Sequence, residues 1–398
     1  MELLWTLAKY AALIVATFPF IYYGIATYSA ARFFRDAEAQ PRPRSGYTPP
    51  VTNLKPVKGL DPDAYENFAS FCKQDYPEYE ILFCVDRNDA AVPVLEQLVR
   101  DFPDCNIRLL YGSGRDAIND KVARLARMAS EARYETVVIS DSDVRVAPDY
   151  LRTVVAPLAN PAVGAVTCFY VHENEHTAAQ HLQTIGMVSD FYAGILTAWQ
   201  LDGVKFALGP TIATTRTRLA GFGGYEAIEN QPGDDLLVGR LIAEQGYRVE
   251  LLAYAVDAVA DYHSMADLVQ KRLRWIVVMR HMRPWGHLGL VFTQGLFWAL
   301  LALAVHPTLA VACAYFGAYA VLRVVMTWMI GTWGLKQRGL WKQFALIPVW
   351  DAMALCIWLA SFARKTVRWR GSQYYIRDGV LVPAGQSANF SLGDQGAP

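Results

Sequence analysis

The 398-residue chain is 53% hydrophobic and 13% aromatic, longer than one average domain and too apolar for an ordinary soluble protein, so part of it belongs in lipid. Its 37 basic and 37 acidic residues cancel, leaving no global field to mark it for nucleic acid. The six cysteines form no CxxC pair and have no histidine partner at zinc-finger spacing, which reads as reduced thiols in a protein facing the cytosol.

The stretch from Tyr10 to Tyr28 carries no charge. Roughly 20 helical residues cross a bilayer core of about 30 Å, so it is long enough to span. It ends in aromatics and Arg32 rather than a small-residue cleavage site, which favours an uncleaved anchor, residues 1–32, over a signal peptide. Arg32, Arg35, Arg42 and Arg44 follow, and positive residues stay inside, so the N-terminus is expected outside and the rest in the cytosol, as in an inner-membrane protein of a bacterium. Residues 33–50, proline-rich from Gln40, read as a linker.

From 51 to 285 short β-rich runs alternate with helical periods: VTNLK, YEILFCVD, CNIRLL, ETVVISD and VGAVTCFY against VPVLEQLVRDF and DKVARLARMASEA. This alternation predicts an α/β domain, a mostly parallel sheet with helices on both faces. Residues 286–365 hold three further apolar blocks, Leu288 to Val305, Leu309 to Gly331 and Phe344 to Phe362. Counting three crossings would put the basic tail outside. Pro348 and Asp351 leave open that the last block is instead re-entrant or interfacial. Residues 366–398 read as a basic tail, disordered after Pro383.

Ligands of open α/β sheets gather at the carboxyl ends of strands. ETVVISD ends there in Asp141-Ser142-Asp143, whose alternate side chains point the same way and can face one hard cation, Mg2+ or Mn2+, with the diphosphate it binds. Such tripeptides also occur as plain loop or N-cap aspartates. Asp86 ends a neighbouring strand and could accept from a uracil or ribose, whereas Asp89 reads as a solvated turn. Asn119 and Lys121 begin a helix where backbone N–H groups and a lysine could meet a phosphate. Asp234 and Asp235 begin another, one expected as the N-cap, the other free to act as a base. Lys271, Arg272 and Arg274 could clamp a diphosphate with Trp275 against a sugar or acceptor, or serve as a cluster drawn to anionic lipid. His172, His176 and His181 lack a completing ligand set and read as structural.

KPVKGLD, YEILFCVD, AINDK, DSDVRV, GDDLL, KRLRW and WRG together resemble the ceramide glucosyltransferases and their bacterial relatives, including hopanoid-associated glycosyltransferases, over nearly the whole chain. The resemblance implies an A-type glycosyltransferase fold with one N-terminal and about three C-terminal membrane helices, a UDP-sugar donor and inversion at the anomeric carbon. It assigns Asp86 to the nucleotide, Asp141 and Asp143 to the metal motif, Asp235 as general base, Lys121 near the nucleotide, and Arg274 with Trp275 to the end of a (Q/R)xxRW motif. Lys271 stands at that motif's first position, and Asp234-Asp235 replaces its usual Glu-Asp. The expected function is hexose transfer, with glucose from UDP-glucose and a ceramide-type hydroxyl favoured. Alternatives are UDP-N-acetylglucosamine transfer to a hopanoid polyol, a polyprenyl-phosphate sugar transferase, a processive polysaccharide synthase, and a membrane transporter or receptor.

Overall fold

The structure, a computed structural model, describes residues 1–39, 46–115, 117–172, 175–259, 264–369, 372–377 and 379–384. Arg42, Arg44 and most of the WRG element therefore lie outside the described residues, as does the tail expected to be disordered, from residue 385 onward.

Eight strands build one sheet: β1 (Val51–Pro56), β2 (Tyr79–Val85), β3 (Ile107–Tyr111), β4 (Thr136–Ile139), β5 (Val144–Arg145), β6 (Val163–Val171), β7 (Ile212–Thr215) and β8 (Arg248–Ala258). Their order is β3-β2-β1-β4-β7-β6-β8-β5. The β3-β2-β1-β4 half is parallel; β7 runs antiparallel to both β4 and β6, and β6 and β8 are parallel. All residues of β1 and β6 are buried. Covered on both faces, β6 is accordingly a near-continuous apolar run, whereas β1 also buries Thr52, Asn53 and Lys55. Parallel alignment puts the ends of β1, β2 and β4 on one edge, and the sequence's acidic strand ends meet there. The helix Asp120–Glu131 covers one face through buried Val122, Leu125, Ala126 and Met128, and Asn119 caps it by accepting from the Val122 N–H at 3.4 Å.

Among the described residues, three helices are long and apolar enough to cross a membrane: Glu2–Ala39, Leu309–Gly334 and Leu340–Ala363. The first expected C-terminal block is instead a pair, Pro284–Thr293 and Gly295–Val305, bent by 59°. The N-terminal helix runs on past Arg32 to Ala39, so residues 33–39 are helical rather than linker. Phe33 and Phe34 are buried, and Phe33 lies edge-on to Phe169 of β6 (5.8 Å) and Trp199 (5.1 Å). The anchor is thus packed directly onto the sheet. Lys336, following the helix Leu309–Gly334, pairs with Glu38 at 3.3 Å, so these two helices end at the same level.

The helix Leu340–Ala363 lies along the helix Met265–Met282. Trp350 in its middle receives the Arg272 guanidinium at 4.6 Å, while near its end Arg280 donates to the carbonyls of Ser361 and Arg364. A polar knot ties these parts together. Arg323 pairs with Asp351 (2.6 Å) and Asp190 (2.9 Å), Tyr319 donates to Asp351 (2.7 Å), and Trp350 donates to Asp190 (2.8 Å). Asp190 sits in a π-helical turn, Met187–Phe191, inside the apolar stretch from Gly186 to Pro210. After Ala363 the chain folds back as three antiparallel strands, β9 (Thr366–Trp369), β10 (Ser372–Arg377) and β11 (Val380–Pro383). The described residues of the basic tail up to Pro383 are therefore folded.

Candidate active site

Ser140 closes β4, and Asp141 and Asp143 follow it at the sheet edge. The Asp143 carbonyl accepts from the Val259 N–H at 2.9 Å, which ties the loop to the end of β8, and Ser142 donates to Asp61 at 2.6 Å. Beneath the loop lies Lys55, fully buried at the end of β1. Its ammonium donates to the Asp141 carbonyl at 2.8 Å and sits 3.6 Å from the Phe71 ring centroid. Burial pulls the Lys55 ammonium down to about 7 against the attraction of Asp143, Asp141 and Asp61.

Lys121 bridges two motifs far apart in sequence, 2.8 Å from Asp141 and 3.1 Å from Asp234. Burial works against its charge, but Asp141, Asp234 and Asp235 outweigh that and hold it well above an ordinary lysine. Asp141 is likewise held below the usual carboxylate range, burial being overcome by Lys121, Lys55 and Lys271. Asp143 goes the other way, up to about 7, through burial and the negative charge of Asp141. The pair thus carries more negative charge than its surroundings neutralise.

Asp235 is reached from across the fold. Its Oδ2 accepts from the Gly209 N–H at 3.0 Å and its Oδ1 from the Leu236 N–H at 2.9 Å. Gly209 is the meeting point of the two acidic motifs. A Cβ there would lie 3.0 Å from Asp141 Oδ2 and 3.3 Å from Asp235 Oδ2, so any larger residue would push the carboxylates aside. Burial and the neighbouring Asp234 raise Asp235 to about 6. The expected N-cap role falls to neither aspartate: Gly233, at φ +71°, precedes the helix Asp234–Glu244, and Asp234 is taken by Lys121.

At the end of β2, Asp86 is half exposed and held at 2.6 Å by Arg124, a buried guanidinium that also contacts the carbonyls of Val57 and Cys84. Asp89 accepts from the N–H groups of Gly59 (2.8 Å) and Ala91 (2.9 Å), the turn role expected of it. On the helix Met265–Met282, Lys271 acts electrostatically on both Asp141 and Asp143, so it faces the motif. Trp275 packs 5.9 Å from Phe191, and Arg274 beside it is partly exposed. Arg272 departs from the sequence expectation. It is buried between Trp275 and Trp350 and donates to Gln183 Oε1 at 2.8 Å, so it braces the helix instead of clamping a diphosphate. His172 is buried with Nδ1 2.8 Å from the Ala258 carbonyl and pushed down to about 4 by burial, a structural histidine.

The structure therefore gathers Asp141, Asp143, Lys121, Asp234, Asp235 and Lys271 around one edge, with Asp86 on the neighbouring strand. Sequence reasoning missed Lys55, Asp61, Arg124 and Gly209. A lysine inside an apolar strand and an arginine on the apolar face of a helix were visible signals for the first and third. Nothing local announces Gly209. Among the described residues no group of three or more His, Cys, Asp or Glu side chains forms a metal cage.

The sequence profile described as glycosyl transferase family 21 matches residues 11–382. Ceramide glucosyltransferase 3 of Caenorhabditis elegans is 22% identical over 352 residues, 84% of this chain and 74% of that protein. A ceramide glucosyltransferase of Komagataella phaffii is 39% identical over 101 residues, 24% of this chain and 20% of that one. Among solved structures, a mannosyltransferase from Pyrobaculum calidifontis in complex with GDP-Man and Mn2+ superposes with a TM-score of 0.52 at 20% identity, covering 87% of this chain and 99% of that one. This likeness bears out the A-type glycosyltransferase fold.

Proposed function

The chain belongs to glycosyl transferase family 21, and from that premise we propose that it transfers a hexose, glucose from UDP-glucose in the favoured reading, onto the hydroxyl of a ceramide-type lipid at the cytosolic face of a membrane. One observation carries the reading: Lys121 and Gly209 bring the Asp141-Ser142-Asp143 motif and Asp235 to opposite sides of one small space. The lipid acceptor is supported by the named activity of the relatives and by the apolar helices packed onto the α/β part.

Asp235 takes the proton from the acceptor hydroxyl, whose oxygen forms the new bond to the anomeric carbon as the bond to UDP breaks, with inversion. The Gly209 and Leu236 N–H groups orient the Asp235 carboxylate for that transfer. Lys121 supplies positive charge next to Asp141, where the diphosphate gathers, and Lys271 adds to it from the helix Met265–Met282. Arg124 fixes Asp86 for the uracil or ribose. A divalent cation, Mg2+ or Mn2+, fits the donor set of Asp141 and Asp143: both are hard carboxylates, and the raised Asp143 marks uncompensated negative charge. When bound it would neutralise charge on the departing UDP.

Lipid mass spectrometry of a host expressing the protein tests the assignment. A new species heavier by one hexose on a ceramide is expected. A phosphoprenyl sugar or a long polysaccharide as product would overturn it, and an N-acetylhexosaminyl polyol lipid would replace both donor and acceptor.

A further inference from the structure

The three C-terminal strands touch three of the segments that bring charged groups to the site. Val367 of β9, Ile376 of β10 and Leu381 of β11 are buried against Val277, and with it form a small core separate from the main one, flanked by Ile118, Leu273 and Val278. Leu273 and Val277 lie on the helix that carries Lys271, Arg274 and Trp275. Ile118 directly precedes Asn119, the cap of the helix that carries Lys121. The Leu381 N–H donates at 2.8 Å to the carbonyl of Asn230, in the loop that leads to Asp234 and Asp235. That loop is in turn stitched to the Lys121 helix. The Asn119 N–H donates to the Glu229 carbonyl at 3.1 Å, Asn119 Nδ2 to the Gln231 carbonyl at 3.2 Å, and the Ile118 N–H to Asn230 Oδ1 at 3.4 Å.

Three short strands with one apolar face need packing against another element to be stable. The sheet folds by docking, and docking fixes three loops or helices at once. We propose that the C-terminal sheet, residues 366–383, is a positioning element of the donor site. It holds the Lys121 helix, the Asn230–Asp235 loop and the Lys271–Trp275 helix in mutual register, so that sheet docking and nucleotide binding reinforce each other. The inference rests on the UDP-sugar reading of the site. No group of the sheet is assigned to the substrate.

Linkage makes the coupling reciprocal, and couplings of this kind amount to roughly 5- to 150-fold. Two measurements on the full chain in detergent test it. In wild type, UDP with Mn2+ should slow tryptic cleavage after the exposed Lys365 and Arg368 several-fold, about the lower end of that range. In Val367→Asp, which puts a charge into the small core, the donor KM should rise about tenfold with the acceptor KM unchanged, whereas Val367→Ile keeps wild-type values. If Val367→Asp does not fold, the protection measurement on wild type decides alone. UDP binding by wild type with no protection of the tail, or a folded Val367→Asp with wild-type donor KM, overturns the positioning role and leaves the UDP reading intact. Failure of wild type to bind UDP at all overturns the UDP reading and the inference together.

Discussion

Asp235 is the residue at which geometry and charge make the sharpest demands. Its carboxylate is buried, next to Asp234, and raised to about 6. As a base it must be ionised, so kcat/KM should fall with acid through an inflection near pH 6, whereas an inflection in the ordinary carboxylate range of about 4 would remove it from the role. The folded state binds this proton more tightly than the unfolded chain. Any stability it gives is present below the ordinary carboxylate pKa and lost as pH rises through about 6, so at pH 7.5 the ionised group weakens the fold. Asp235→Asn should lower transfer about 10²- to 10⁴-fold, keep UDP binding, and melt no higher than wild type, because its amide nitrogen cannot accept from the Gly209 or Leu236 N–H as the second carboxylate oxygen does. Calorimetry and single-turnover assays separate the three effects, and normal turnover in the variant would sink the assignment.

At the same scale, Asp86, Asp141 and Asp143 were legible because they follow apolar strands, whose ends collect ligands in α/β sheets, and Asp234 and Asp235 because they open a helix with an apolar face. Gly209 was not legible. Its role arises from a carboxylate 26 positions later and another 68 positions earlier, a juxtaposition made only by the sheet order. Arg272 was misread because three basic residues near one tryptophan look alike in sequence, while the helix turns this one inward onto Gln183.

At the level of elements, the helix Asp234–Glu244 must approach the Phe206–Ala207 backbone closely enough to deliver Asp235 to Gly209. Gly239 permits this: a Cβ there would lie 2.2 Å from the Phe206 carbonyl carbon and 2.3 Å from the Ala207 nitrogen. Backbone cannot yield as a flexible side chain does. Gly239→Ala should cost about 1–3 kcal/mol or more of stability by overpacking, with a loss of transfer larger than its loss of UDP binding. Denaturant unfolding with matched binding assays checks this, and an unperturbed variant would contradict the close approach. The α/β alternation itself was readable from period and composition. The C-terminal sheet was not, because TVRW, SQYYIR and VLVP are short and owe their order to the surface they dock on.

For the whole molecule, the contacts of the helix Leu340–Ala363 bear on the two sequence readings of the last apolar block. Trp350 in its middle and Ser361 near its end both meet the helix Met265–Met282, and on that ground we propose that it lies along the membrane surface, with the tail on the side of the α/β part. Cysteines introduced by Lys365→Cys and Asp104→Cys should then react with a membrane-impermeant maleimide from the same side of sealed vesicles. Labelling from opposite sides would mean that the helix crosses.

The knot around Arg323 is also a whole-molecule feature. Replacing the arginine alone strands Asp351 and Asp190 without their cation, and breaking a buried pair in this way costs about 3–5 kcal/mol. Arg323→Met should lower the yield of folded protein in detergent far more than a surface substitution such as Arg87→Met. The partners of Arg323 also set an order of assembly during synthesis. Tyr23, whose ring lies 5.1 Å from the guanidinium, and Asp190 leave the ribosome long before Arg323, but Asp351 leaves after it. Contacts of such long sequence separation form late. Until Asp351 emerges, a growing chain has Asp190 but not Asp351 to balance Arg323 among the apolar helices, so the knot closes only once the helix Leu340–Ala363 has been made.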